Sequence, residues 1–341
     1  MTRNIMKKVM IFIGGYLPGE KYGGPVTSIH NFTEQLGDDY EMQIVCCNHD
    51  FGDTTPYQNI SNGWNIVGKA KVLYLKDEAL CYKVFRDILA KEKPDMIYAS
   101  GIMHFKFNAP MIRAARKLKI PVLLAPRGDL CENALKIKEW KKKPFLAIVD
   151  RIGFFKNIYF HSTMEEESTA LQRYLHADVS RIFLLPNLPS STVKKDNYNK
   201  EAGVLRVLFI SRIQSKKNLL GAIRIVNQLK GKTVFDIYGP IENEDYWQEC
   251  KTEIEKSPDG VTVSYKGALS SGEAKNIYLQ YDCFLFPTLS ENYGHVIAEA
   301  LMHDCPIVIS KGTTPWDDVT ESDAGAAFPL EDTEAFAEYL E

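Results

Sequence analysis

Arg212, Lys217, Glu291 and Glu299 are the residues whose types and spacing point most directly to chemistry. Arg212 and Lys217 lie in SRIQSKKN (211–218), directly after the mostly apolar run 205–210. In α/β folds the carboxyl end of a strand is where ligands bind. Two cations there suit one polyanion, a diphosphate leaving group above all; a solvated basic loop is the plainer alternative. Glu291 and Glu299 lie in SENYGHVIAE (290–299), after the apolar run 282–286. Their spacing is just over two helical turns, which puts both on much the same face. Gly294 leaves the first turn of that helix open to a ligand. A carboxylate at 299, beside Val296, Ile297, Ala300 and Leu301, is costly unless paired. Ribose hydroxyls are suitable partners; a capping Glu291 with a surface Glu299 is the alternative.

The first half offers a different set. Gly23-Gly24-Pro25 precedes a helical stretch. Proline in a first turn, after glycine, leaves backbone N–H groups of the kind that bind phosphate; a plain glycine turn reads the same residues. Arg127 and Asp129 lie in APRGDL (125–130), and His104 follows the run 95–99. These three are candidates for lining a cleft or meeting an acceptor, with a structural or solvated histidine as the alternative for His104. Over 135–145, Lys136, Lys138, Lys141, Lys142 and Lys143 interleave with Leu135, Ile137, Trp140 and Phe145. That composition suits peripheral contact with an anionic membrane, or a charged surface helix. No RNA- or DNA-binding module accompanies the lysines, so nucleic acid is not an expected partner.

These residues need a scaffold, and the alternation of short β-branched runs with amphipathic stretches supplies one. Strands are expected at 9–13, 42–46, 71–74, 95–99, 122–125, 157–161 and 181–184. Helices are expected at 25–36, 78–91, 107–118 and 164–175. After the polar stretch 190–203 the pattern restarts, with strands at 205–210, 233–238, 261–265, 282–286 and 307–310, and helices at 218–229, 245–255, 271–279 and 294–303. Such alternation predicts parallel sheets with helices on both faces. The expected class is therefore α/β, with two doubly wound domains, 1–195 and 196–341, facing across a cleft.

Composition agrees with a soluble globular chain of 341 residues, 45% hydrophobic and 25% charged. The net charge of −3 hides a split: residues 1–195 carry 28 Lys+Arg against 20 Asp+Glu, a net of +8, and residues 196–341 carry 13 against 24, a net of −11. Two domains with different partners are implied. The apolar run after Lys7-Lys8 is short for a signal peptide and is read as a buried first strand. No segment has the ~18 apolar residues of a membrane span. The seven cysteines include no CxxC pair, so a cytosolic protein without structural zinc is expected. Dinucleotide, Walker A, G-x-S-x-G, H-E-x-x-H and Asp-x-Asp motifs are all missing. Neither a metal nor a separate cofactor is expected.

The ordered set of a Gly-Gly loop, an Arg…Lys loop and Glu-x7-Glu resembles retaining glycosyltransferases of family 4, the glycosyl transferases group 1, which have the GT-B fold. Pro186-Asn187, Tyr238-Gly239-Pro240 and Lys266-Gly267-Ala268-Leu269 also fall where that family has counterparts. The resemblance covers nearly the whole chain. It implies that a nucleotide-diphosphate sugar is the donor, met by Gly23 and Gly24 from the first domain. Arg212 and Lys217 would hold the diphosphate, Glu291 and the backbone of Asn292, Tyr293, Gly294, His295 and Val296 would meet sugar and phosphate, and Glu299 the ribose. Tyr238, Gly239, Gly267 and Leu269 would flank the base. Arg127 stands where many members have a sugar-contacting histidine, Asp304 where a glycine is usual, and 312–316 (GTTPW) where a Gly-Gly loop is usual.

The implied activity is metal-independent retaining transfer to a glycan or lipid-linked acceptor in surface polysaccharide or lipid-linked glycan assembly. It would take place in the cytoplasm, peripherally on the inner face of the membrane. Two other readings are a GT-B nucleotide-sugar epimerase and a non-catalytic sugar- or nucleotide-binding module. The family usually continues through further C-terminal helices, and by that comparison this chain stops short of them. The base, the sugar and the acceptor are not legible.

Overall fold

The computed structural model describes residues 6–19, 21–136, 138–189, 202–269 and 277–341. Most of the expected linker 190–203, the expected join at 195, and the helix expected at 271–279 as far as residue 276 lie outside the described residues. The chain divides into two compact units, Met1–Leu188 and Pro189–Glu341.

The first unit runs β1 (Lys7–Phe12), α1 (Gly24–Leu36), β2 (Tyr40–Cys47), β3 (Trp64–Val67), β4 (Ala70–Leu75), α2 (Tyr82–Glu92), β5 (Met96–Ser100), α3 (Phe105–Leu118), β6 (Val122–Ala125), α4 (Glu132–Lys136), α5 (Glu139–Arg151), β7 (Tyr159–Ser162), α6 (Glu165–Leu175) and β8 (Ile182–Leu184). Its sheet has the order β3-β4-β2-β1-β5-β6-β7-β8. The continuous apolar run of β1 reads as a strand covered on both faces. Alternation sends Val9 and Ile11 into one core layer and Met10 and Phe12 into the other. Because β1 lies between β2 and β5, the loop after it opens where the crossovers diverge, the usual place for a ligand.

The second unit runs β9 (Val204–Ile210), α7 (Leu219–Val226), β10 (Lys232–Tyr238), α8 (Glu244–Ile254), β11 (Val261–Gly267), β12 (Cys283–Phe286), α9 (His295–Met302), β13 (Ile307–Ser310), β14 (Gly325–Phe328) and α10 (Thr333–Leu340). Its parallel sheet has the order β11-β10-β9-β12-β13-β14. Here β9 occupies the divergence point, flanked by β10 and β12. Phe209, Phe235, Phe284 and Phe286 are fully buried around it, each contributing on the order of 1.5–3 kcal/mol by leaving water.

Three expectations need correction. The first sheet is not wholly parallel: β3 pairs antiparallel with β4, Val67 opposite Ala70. Gly68, with φ +55°, supplies the left-handed step of that hairpin; the strand is short and its Ile66 is exposed, so it carries no core signature. A further strand, β14, closes the second sheet. Its Gly-Ala-Ala start is too small to read as a strand, yet at Gly325 a Cβ would lie 1.9 Å from the Ile307 carbonyl oxygen, so the small residue permits that pairing. Finally, the basic stretch 135–145 is not one helix. α4 ends at Lys136, and α5 starts at Glu139 after Lys138 in the left-handed region, φ +59°.

Candidate active site

The loops after β9, β10, β12 and β13 all leave the carboxyl edge of the second sheet, and they are stitched together. Asn218, also left-handed (φ +54°), caps α7 through its side-chain oxygen, which accepts from the Gly221 N–H at 3.3 Å. Its amide nitrogen donates to the Pro287 carbonyl at 2.8 Å. Lys216 O accepts from the Leu289 N–H at 3.0 Å and the Thr288 hydroxyl at 3.1 Å. The loop after β9 is thereby fastened to the loop after β12.

This stitching unites two of the predicted residues. The Lys217 ammonium donates to Glu291 Oε1 across 74 positions of sequence, and the two side chains are only 11% and 14% exposed. Burial pushes the lysine's pKa down, against the attraction of Glu291. The ammonium also stands 5.7 Å from the centre of the Phe286 ring, over the negative face of its quadrupole.

Arg212 turns the other way. Its guanidinium donates to Glu242 Oε1 at 2.9 Å, and its side chain is 42% exposed. It is held there because the chain beyond β10 runs alongside: the Ile213 N–H donates to Pro240 O at 2.8 Å and the Glu242 N–H to Ile213 O at 3.2 Å. Gly239 makes that approach possible. It has φ +135°, and a Cβ there would lie 1.8 Å from the Ser211 carbonyl oxygen. The Gly239 N–H donates to Gly267 O at 2.9 Å, so these two predicted glycines do meet. Tyr238 OH lies 3.2 Å from Tyr281 OH, which donates at 2.9 Å to the buried Asp236. Leu269 is half-buried against the core.

Glu299 has a protein partner that sequence spacing did not reveal: the Tyr278 hydroxyl donates to its Oε2 at 3.2 Å. Tyr278 is almost wholly buried, and its pKa is raised well above the ordinary phenol value by that burial and then by the carboxylate. Gly294, with φ +73°, is the N-cap of α9 and offers no side-chain cap. Tyr293 packs edge-on against His295 at 4.9 Å and, tilted, against Trp316 at 5.5 Å. The Trp316 indole N–H donates to Tyr293 O at 2.5 Å, and the Glu291 N–H to Thr313 O at 2.7 Å. Asn292 and Val296 fall in the same segment. The loop 312–316, atypical for the resembled family, thus supports 291–293; Thr313 and Trp316 are contributors that the sequence reading passed over.

In the first unit, Gly23 is the N-cap of α1, Gly24 its first residue and Pro25 lies in its first turn. His104 and Asp129 come together. A Cβ on Gly101 would lie 3.5 Å from both Asp129 Oδ2 and the His104 ring, and one on Gly14 would lie 3.3 Å from His104 Nδ1. Asp129 accepts from the Met103 N–H at 2.9 Å, and burial raises its pKa despite that bond. Arg127 does not join them. It is left-handed (φ +57°), and its guanidinium donates to Asn187 Oδ1 and, at 2.8 Å, to Tyr98 OH. Tyr98 OH is in turn 2.7 Å from His161 Nδ1. Arg127 therefore knits β5, β6, β7 and the end of the unit together. Glu167 anchors the same loop: its carboxylate, fully buried, accepts from the Gly128 N–H and from the Thr163 N–H at 2.7 Å.

Residues 190–341 match the family described as glycosyl transferases group 1. That match spans the second unit. The sequence resemblance to group 1 glycosyltransferases holds. Among curated relatives, the chain is similar to human alpha-1,3/1,6-mannosyltransferase ALG2, 22% identical over 77% of this chain and 67% of the relative. It is also similar to an uncharacterized 41.2 kDa protein in the cps region of Klebsiella pneumoniae, 20% identical over 94% of this chain and 86% of that one. Among solved structures, Anabaena Alr3699/HepE in complex with UDP and glucose superposes with a TM-score of 0.68 over 98% of this chain and 89% of that one, at 13% identity. The fold is the GT-B fold expected for group 1. Within the matched residues, Arg212, Lys217 and Glu291 all lie at the carboxyl edge of the sheet, on either side of β9.

Proposed function

We propose that the protein is a retaining, metal-independent glycosyltransferase of family 4 that moves a sugar from a nucleotide-diphosphate sugar to an acceptor hydroxyl. The observation that carries this reading is the Lys217–Glu291 pair, shielded at the divergence point of the second sheet with Arg212 on its other flank. An ammonium so placed is a preorganised partner for charge developing on a leaving group. In the step we envisage, the bond between the sugar's anomeric carbon and the diphosphate oxygen breaks. The acceptor oxygen bonds to the same face of that carbon through an oxocarbenium-like transition state. The acceptor's proton passes to the departing phosphate. Lys217 and Arg212 take up the charge on the diphosphate in place of a metal ion.

Glu291 and the backbone of 292–296 would meet sugar and phosphate. Glu299, steadied by Tyr278, would take the ribose, and Tyr238, Gly239, Gly267 and Leu269 would flank the base. Gly23 and Gly24 would approach the diphosphate from the first unit, and His104 and Asp129 would meet the acceptor. UDP and glucose in the HepE complex support the donor class. The mannosyltransferase relative supports sugar transfer; the acceptor in this proposal is a glycan or lipid-linked hydroxyl, in surface polysaccharide or lipid-linked glycan assembly.

Thermal-shift titration against UDP-, GDP-, ADP- and dTDP-sugars tests the donor. A nucleotide sugar at 100 times its dissociation constant is expected to add about 2.7 kcal/mol of stability. Stabilisation by none of them overturns the reading. Incubation with the stabilising donor alone then separates transferase from epimerase, whose product is an epimer of the donor.

We also assign peripheral contact with an anionic membrane to α5. Trp140, Ile148 and Ile152 are 74%, 61% and 65% exposed, and their spacing puts them within one third of the helix circumference. Lys141 stands 4.6 Å from the Trp140 ring centre among Lys138, Lys142 and Lys143. No helix among the described residues is long and apolar enough to cross a membrane. Trp140→Ala combined with Lys141→Ala is expected to reduce co-sedimentation with vesicles containing phosphatidylglycerol. Equal sedimentation of variant and parent, or no preference for anionic over neutral vesicles, removes this assignment.

A further inference from the structure

β2 and β4 are parallel neighbours in the first sheet, with Cys47 opposite Leu75 at their carboxyl ends. Carried two residues further, the same register sets His49 opposite Asp77. The structure bears this out: His49 Nε2 lies 3.1 Å from Asp77 Oδ1. The other ring nitrogen, Nδ1, lies 3.0 Å from the Asp50 carbonyl oxygen. A carbonyl only accepts, so Nδ1 carries a proton. The carboxylate facing Nε2 also only accepts, so at that distance either a second ring proton or a bound cation lies between them. Cys47, buried at the end of β2, completes the group: its sulfur, a His49 ring nitrogen and an Asp77 carboxylate oxygen lie within 4.8 Å of one another.

We propose that Cys47, His49 and Asp77 bind a borderline-soft divalent cation, zinc above all. Thiolate, imidazole and carboxylate together are a zinc donor set, whereas magnesium and calcium favour oxygen alone. The Asp50 carbonyl supplies the outer hydrogen bond that orients a metal-ligating histidine. Three protein ligands leave the fourth tetrahedral position to water. On binding, the Cys47 thiol gives its proton to solvent. The ion ties the end of β2 to the short helical turn Asp77–Ala79 that follows β4. It also sits beside the glycine segment after β1, because the Cys47 N–H donates to Gly14 O at 3.1 Å. The proposal does not depend on the diphosphate chemistry proposed above. No cysteine-pair motif announces it: two ligands flank a single residue at the end of β2, and the third comes from the turn after β4, its neighbour in the sheet.

The test uses the full chain without an affinity tag, stripped with a chelator and dialysed. Zinc is titrated against a chromophoric competitor, and cobalt is followed by absorption. The expected result is one equivalent per chain and a tetrahedral cobalt spectrum with a thiolate charge-transfer band. Cys47→Ser loses that band, and His49→Gln and Asp77→Asn each weaken zinc binding about tenfold or more. Cys81→Ser, outside the cluster, keeps both the stoichiometry and the band. Absence of saturable binding overturns the site, as does a band that survives Cys47→Ser. Should Cys47→Ser fail to fold, Asp77→Asn decides alone, since that side chain is 54% exposed; undiminished zinc affinity there overturns the site.

Discussion

Lys217→Ala is expected to lower sugar transfer by about 100-fold or more, the usual effect of removing one preorganised group from a developing anion. The ammonium is shielded and fixed by Glu291, so it needs little reorganisation when the diphosphate leaves. The substitution also strips a largely buried carboxylate of its partner, which costs about 3–5 kcal/mol of stability. The two effects separate in the double variant Lys217→Met with Glu291→Gln. That variant removes both charges at similar volume and is expected to regain stability without regaining turnover. Turnover is measured as nucleotide release and as glycan product, and stability by denaturation of the same samples. Near-parental transfer in Lys217→Ala would remove lysine from the chemistry. Recovery of transfer in the double variant would reduce the pair to a structural role.

Gly239→Ala is expected to destabilise the second unit by about 3 kcal/mol or more. Its φ of +135° belongs to a region nearly confined to glycine, and the added Cβ would fall 1.8 Å from the Ser211 carbonyl oxygen. The obstacle is backbone, so no side chain can swing aside. The strain is delivered to the loop that carries Arg212, so nucleotide binding should weaken as well. Gly312→Ala is the control: its φ is +73°, but nothing lies within 4 Å of the added atom. It is expected to cost about 1 kcal/mol, the left-handed penalty alone. Chemical denaturation followed by tryptophan fluorescence reads both, because Trp247 and Trp316 lie in this unit. Equal losses in the two variants would show that the close approach at Gly239 is relaxed at little cost.

Most of the central strands were legible in the sequence because parallel strands buried on both faces are nearly continuous apolar runs, as at β1, β9 and β12. The strands that escaped notice lack that property. β3 sits at an edge with Ile66 exposed, and β14 opens with Gly-Ala-Ala, so neither carries an apolar run to read. The basic stretch around Lys138 shows the same limit for helices. Its composition is helical throughout, but among the described residues the left-handed Lys138 separates α4 from α5.

Charge and spacing singled out Arg212, Lys217, Glu291 and Glu299, since a cation pair after one apolar run and a carboxylate pair after another are local patterns. Their partners are not local. Lys217 meets Glu291 because β9 and β12 are neighbours in the sheet, Glu299 receives the Tyr278 hydroxyl, and Arg127 is spent on Tyr98 and Asn187. His49 faces Asp77 only through the register of β2 and β4. By itself the sequence determined the α/β class, the position of the main strands and the loops that carry charge, because hydrophobic period and turn residues act over a few positions. Strand order and register belong to the folded sheet. They decided which of those charges share a carboxylate, which are buried, and which are committed to holding the fold, because a hydrogen bond or an ion pair depends on distances that only the packed chain sets.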